Sequence, residues 1–87
     1  MKLVLAGNYR VGSKIGQRVF AAEWQYGMRA GQGVPLKCPA TGEPILNREN
    51  PAFNAGHNWG LQNRQCRSVQ VAEAALNAAW SAYRASI

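Results

Sequence analysis

Ser68-Val69-Gln70-Val71-Ala72-Glu73-Ala74-Ala75-Leu76-Asn77-Ala78-Ala79-Trp80-Ser81-Ala82-Tyr83-Arg84-Ala85-Ser86-Ile87 reads as one amphipathic helix from end to end. Val69, Ala72, Leu76, Ala79, Trp80, Tyr83 and Ile87 recur at the i, i+3, i+4, i+7 spacing that gathers side chains on one face. Gln70, Glu73, Asn77, Ser81 and Arg84 fall outside that stripe, and Ser68 is a good N-cap. The spacing predicts a helix over 68–86. A helix of this kind needs a surface to cover its apolar face. The candidates are an earlier helix of the same chain, or the same helix of a second copy.

Upstream, a first helix is predicted over 13–31, with Ser13 as its N-cap. At 3.6 residues per turn, Ile15, Val19, Ala22, Tyr26 and Ala30 gather on one side. Phe20, Trp24 and Met28 form a second apolar stripe beside it. Lys14, Arg18, Gln25 and Arg29 share the polar side, three cations with no acid among them. Glu23 falls between the two apolar stripes, where an arginine from another segment is its expected partner. Gly27, Gly31 and Gly33 weaken and end the helix.

Residues 32–50 read as a loop, because Pro35, Pro39, Gly42 and Pro44 leave little room for regular structure. Asn50-Pro51 is a helix start, Asn as N-cap and Pro in the first turn. The second helix, over 51–63, places Phe53, Gly56, His57, Gly60 and Leu61 along one side. Its glycines make it intrinsically weak, so contacts from elsewhere must hold it. Residues 1–12 form an arm or a short strand, Lys2-Leu3-Val4-Leu5-Ala6 turning at Gly7-Asn8. The expected architecture is mostly α: a small three-helix domain with a central Gly/Pro-rich loop.

At 87 residues the chain is one domain, with a core small enough that a partner or a second copy is expected to contribute to stability. Ten Lys and Arg stand against four Glu and no Asp, a formal charge of +6. That balance points to an anionic partner: nucleic acid, an anionic surface or an acidic protein. The apolar run from Leu3 to Gly7 is too short for a signal-peptide core or a membrane span, so a cytoplasmic protein with reduced Cys38 and Cys66 is expected.

Three constellations bear on chemistry. Cys38, His57 and Cys66 are scattered, without the paired Cys-x2-4-Cys or His-x3-5-His spacing of structural zinc sites, so no metal is expected. A Cys–His nucleophilic pair from the same residues has no supporting spacing. Gly12-x-x-x-Gly16 and Gly27-x-x-x-Gly31 lack the lysine and hydroxyl of a phosphate loop and suit close helix packing or fraying. The four glutamates are widely spread. No catalytic group and no cofactor is expected.

Phe53, His57 and Trp59 can be read either as stacking faces for unpaired bases or as core. In the first reading Lys14, Arg18, Arg29, Lys37, Arg64 and Arg67 supply phosphate contacts.

The central segment carries a resemblance. Gly27-Met28-Arg29-Ala30-Gly31-Gln32-Gly33 is followed by Cys38-Pro39, and then by Phe53-Asn54-Ala55-Gly56-His57. From Trp24 to Arg64 this order resembles the ribosome modulation factor family: a helix ending in Gly-x-x-Ala-Gly, then Cys-Pro-Tyr, then Trp-x-x-Gly-Trp. Gly27, Ala30, Gly31, Cys38, Pro39 and Gly56 match the pattern; Ala40, Phe53 and His57 stand where the family has aromatic residues. The resemblance implies a two-helix unit that binds ribosomal RNA and lowers translation by promoting inactive, dimerised ribosomes. The same small fold is assigned to phage and plasmid proteins, one group of them linked to fluoroquinolone modification. Three functions follow as expectations: an RNA-binding modulator of translation, a phage- or plasmid-encoded inhibitor of a host protein, and a small drug-modifying enzyme. A homodimer through the third helix or the N-terminal strand is compatible with the first two.

Overall fold

A computed structural model describes residues 9, 12, 14–34 and 50–86, and the chain is mostly α over them. Three helices follow in order: α1 (Lys14–Gly31), α2 (Pro51–Gln62) and α3 (Val69–Ala85). Ser13, the expected cap of α1, residues 1–8 of the arm and most of the Gly/Pro-rich loop lie outside the described residues.

The glycines set the architecture. Gly27 of α1 faces the backbone of Phe53 and His57, and Gly31 faces His57 and Leu61. In return Gly56 of α2 faces Trp24 and Met28, and Gly60 faces Met28. Residue numbers rise together on both helices, so α1 and α2 run parallel with their backbones in contact. A Cβ at any of the four would meet a main-chain carbonyl, of Phe53, His57, Trp24 or Met28. Glycine is required here because the neighbour is backbone, which cannot swing aside. A parallel pair also explains the long connection: the chain must travel back the length of α2, about 18 Å, before that helix starts.

Of the two apolar stripes read on α1, the structure buries the second. The buried residues of the helix are Gly16, Phe20, Glu23, Trp24, Gly27, Met28 and Gly31. The stripe of Phe20, Trp24 and Met28 is the core stripe, completed by glycines. Ile15 is 74 % and Tyr26 43 % exposed, while Val19 of the same stripe packs against the edge of the core. Apolar side chains alone do not choose between the two stripes, because glycine adds nothing to such a count. The side on which α2 can approach is the side with least side chain. On α2 the buried residues are Ala52, Phe53, Gly56 and Gly60, while the expected Leu61 is half exposed. The Leu61 backbone nitrogen lies against Gly31.

Helix α3 runs back against α1. Trp80 and Tyr83 pack on Phe20, with ring centroids 5.0 and 5.6 Å away, while Ala72 and Leu76 lie across a cleft from Met28. Trp80 is the only buried residue of this helix. Val69, the first member of the predicted stripe, is 71 % exposed, because the start of α3 stands off the α1–α2 pair. Ser68 caps the helix as predicted, accepting from the Val71 N–H at 3.3 Å.

Tyr9 closes the core. It is 4 % exposed and meets Phe20, Trp80 and Tyr83 edge-on at 5.2, 6.5 and 5.3 Å. Edge-to-face contacts suit the ring quadrupole. At Tyr9, at least, the N-terminal segment belongs to its own chain's core.

Candidate nucleic-acid interface

The sequence-predicted cations fall into two groups. Lys14 and Arg18 occupy the first turns of α1, exposed, and Arg29 occupies its last turn, also exposed. Arg18 and Arg29 are separated by eleven residues, about 16 Å along the axis and about 20° around it, so they share one face. Arg64 and Arg67 lie in the connection between α2 and α3, both exposed. Lys37 lies outside the described residues, as do Cys38 and Pro39.

Local hydrogen bonds draw the second group toward Arg29. Past Gly31 the chain folds back on itself: the Val34 N–H donates to the Arg29 carbonyl at 3.0 Å, and Gly33 takes φ +89°. The Arg64 guanidinium lies beside Gly33, where a Cβ would be 3.3 Å from it. Gln32 then latches this end of α1 to the connection, its Nε2 donating to the carbonyls of Asn63 at 3.0 Å and Cys66 at 3.2 Å. Two carbonyl partners fix the amide orientation, since a flip would set oxygen against oxygen. The Gln32 Oε1 is left buried with no hydrogen-bond partner among the described residues. Holding an acceptor in that state costs about 1–3 kcal/mol. The latch thus assembles Arg29, Arg64 and Arg67 around one end of the molecule.

Beside that end lies a cleft of about 590 Å³ between α1 and α3, with Trp59, Met28 and Leu76 among its walls and Arg29 and Arg67 at its edge. Cys66, a free thiol, also lines it. Of the aromatic residues considered for base stacking, Phe53 is 3 % exposed and part of the core. His57 is partly buried and stacks on Phe53 at 6.2 Å, and its backbone is pressed against Gly27 and Gly31. Only Trp59, partly buried and backed by Trp24 at 5.5 Å, borders the cleft. Of the residues shared with the family pattern, Gly27, Gly31 and Gly56 form the helix contact and Ala30 is partly buried beside it.

A buried polar cluster lies at the other end of α2. Asn50 caps the helix, its Oδ1 accepting from the Phe53 N–H at 2.8 Å and from the Tyr9 hydroxyl at 2.9 Å. Its Nδ2 donates to Glu23 Oε2 at 2.7 Å. Among the described residues Glu23 is held by Asn50, because the parallel packing brings the start of α2 beside the middle of α1; Arg10 and Arg48 lie outside those residues. Its Oε1 is buried without a hydrogen-bond partner among the described residues. Burial pushes the Tyr9 hydroxyl well above its ordinary 10.0, and the hydrogen bond and negative charge of Glu23 push it further. Sequence reasoning missed this cluster: the cap at Asn50 was legible, but the long-range partners of its amide had no local signal. Gln32 was missed for the same reason.

Among the described residues no three His, Cys, Asp or Glu come together as a metal site. None of the described helices is long and apolar enough to cross a membrane. No family model matches the chain, and no curated protein or solved structure matches it.

Proposed function

We propose that this protein is a small basic RNA-binding protein that recognises structured RNA, ribosomal RNA in the first instance, and thereby modulates translation. One observation carries the reading: all six described cations, Lys14, Arg18, Arg29, Arg64, Arg67 and Arg84, are exposed, while one of the two described acids, Glu23, is buried. Among the described residues the exposed charge is thus six cations against one acid, Glu73, which favours a polyanion. Arg18 and Arg29, about 16 Å apart on one helix face, can engage phosphates along a backbone. The family resemblance between Trp24 and Arg64 supplies the ribosomal target and the cytoplasmic setting, and the proposed role needs no catalytic group.

The test is affinity purification of the tagged protein from bacterial lysate, divided into nuclease-treated and untreated halves. Recovery of ribosomal RNA with ribosomal proteins in the untreated half, and its loss after nuclease, is the expected result. A single non-ribosomal protein retained in both halves would replace this reading with the inhibitor of a host protein. That second reading draws on α3, whose outer face carries Val71, Ala74, Ala78 and Ala82, all exposed.

A further inference from the structure

We propose that the cleft between α1 and α3 seats an unpaired nucleotide of the bound RNA, its base against Trp59 and its phosphates on Arg29 and Arg67. The inference rests on the RNA reading above and adds to it a site that distinguishes single strands from duplex. Three observations point to this ligand.

First, the cleft has the size of a small-molecule site, about 590 Å³ against a usual range of roughly 300–1,000 Å³. Second, its walls are suited to a flat apolar body. Trp24 and Trp80 are 1 % and 6 % exposed and saturated by neighbours, whereas Trp59 is only partly buried and borders the opening. Trp24 supports Trp59 from behind at 5.5 Å, so the ring is held in place before any base arrives. Met28 and Leu76 complete the apolar lining. Third, two cations line the cleft against one acid, Glu73 of α3: Arg29 comes from α1 and Arg67 from the connection that Gln32 latches to α1. A planar apolar group flanked by anions is the chemistry of a nucleotide in a single strand. A paired base cannot offer its face to Trp59, so duplex RNA is left with the outer cations alone.

The experiment uses the full chain, titrated with a short oligouridylate, whose bases need no unstacking, and with a blunt-ended RNA duplex. Tryptophan emission reports the cleft, because Trp59 is the indole with open surface, and filter binding reports overall affinity. The first variant is Val69→Glu, at an exposed position lining the cleft. An acid in the first turn of α3, which has none, favours the helix, so loss of binding would not reflect unfolding. The second is Ala72→Phe, which fills the cleft from α3, with a circular dichroism spectrum confirming that the helices persist. Oligouridylate is expected to quench emission and duplex is not. Each variant is expected to weaken oligouridylate binding roughly tenfold, as loss of one stacked base does, and duplex binding far less.

If both RNAs bind but neither variant lowers oligouridylate affinity more than duplex affinity, the cleft is not the nucleotide site and the RNA reading survives. If neither RNA binds at any salt concentration, the RNA reading itself falls, and this inference with it.

Discussion

Gly27 of α1 stands so close to Phe53 of α2 that a Cβ on the glycine would meet the Phe53 carbonyl oxygen and lie 2.8 Å from its carbon. Gly56 repeats the relationship in the other direction against Trp24. Two helices packed backbone to backbone exchange large side chains for close main-chain approach, as small-xxx-small pairs do. The two four-residue glycine spacings, Gly27 to Gly31 and Gly56 to Gly60, are therefore one structural feature seen from its two sides.

The sign of a glycine-to-alanine change separates this role from mere helix weakness. In a helix interior alanine is favoured over glycine by about 1 kcal/mol. If Gly27 and Gly56 were only weak points, Gly27→Ala and Gly56→Ala would stabilise the protein. The packing predicts the reverse: each destabilises by about 2–3 kcal/mol, since the obstructing atoms are backbone and the helices must separate. Urea unfolding followed by circular dichroism checks this, and a raised midpoint for either variant would refute the close-packed pair.

How much of this was legible in the sequence differs by element. Helix α3 and its Ser68 cap could be read because apolar periodicity and capping are local signals. The Asn50-Pro51 start of α2 was legible for the same reason. On α1 both apolar stripes were legible, but which of them is buried was not, because that depends on where α2 lies, and α2 is placed by glycines that carry no hydrophobic signal. The exposure of Val69 likewise depends on how far the start of α3 stands from the other two helices. Of the candidate site, the cations were readable as a stripe, but the gathering of Arg64 and Arg67 near Arg29 rests on Gln32, whose partners are 31 and 34 residues away.

Asn50 should be among the positions least tolerant of change. Asn50→Ala removes the cap of α2, the acceptor of the Tyr9 hydroxyl and the donor to Glu23 Oε2 together. Glu23 Oε1 has no hydrogen-bond partner among the described residues, so the carboxyl would lose the amide donor that Asn50 supplies inside the core. Combining a lost cap with a deprived buried carboxyl predicts about 3 kcal/mol of destabilisation. Asn50→Asp sharpens the point, because it keeps the capping oxygen but turns a donor into a carboxylate facing Glu23. It is expected to be no more stable than Asn50→Ala despite the retained cap. Thermal melts of the two variants side by side decide it: an Asp variant close to wild type would mean that the contact with Glu23 contributes nothing.

Alkaline pH offers a readout of Tyr9. Its folded-state pKa lies above the ordinary 10.0, so the folded protein holds the phenolic proton more tightly than the unfolded chain does. Below about pH 10 both states are protonated there and the contribution is fully present. Above it the unfolded state binds fewer protons, so stability falls as pH rises, by up to about 1.4 kcal/mol per pH unit. Exposed lysines titrate in the same range, so the comparison is with Tyr9→Phe. That variant should lose stability near neutral pH, because the hydroxyl no longer meets Asn50, and should decline less steeply above pH 10. Equal alkaline slopes in the two proteins would show that Tyr9 does not keep its proton.

The RNA interface makes a prediction about slopes as well as affinities. Phosphate contacts release counterions, so the logarithm of the binding constant falls linearly with the logarithm of salt, by about 0.7–0.9 per contact. Lys14→Gln, Arg18→Gln and Arg29→Gln are all at exposed positions and should leave the fold intact. Each is expected to weaken binding of a structured ribosomal RNA fragment and to lower the slope by slightly less than one, with the triple variant lowering it by about two to three. Arg84, exposed in the last turn of α3, is the control. It carries the same charge but belongs to another helix, at the end of α3 remote from the Gln32 latch, so Arg84→Gln should alter the slope less than the α1 variants do. If it lowers the slope as much as Arg18→Gln does, the protein is responding to net charge, and α1 is not the contacting surface.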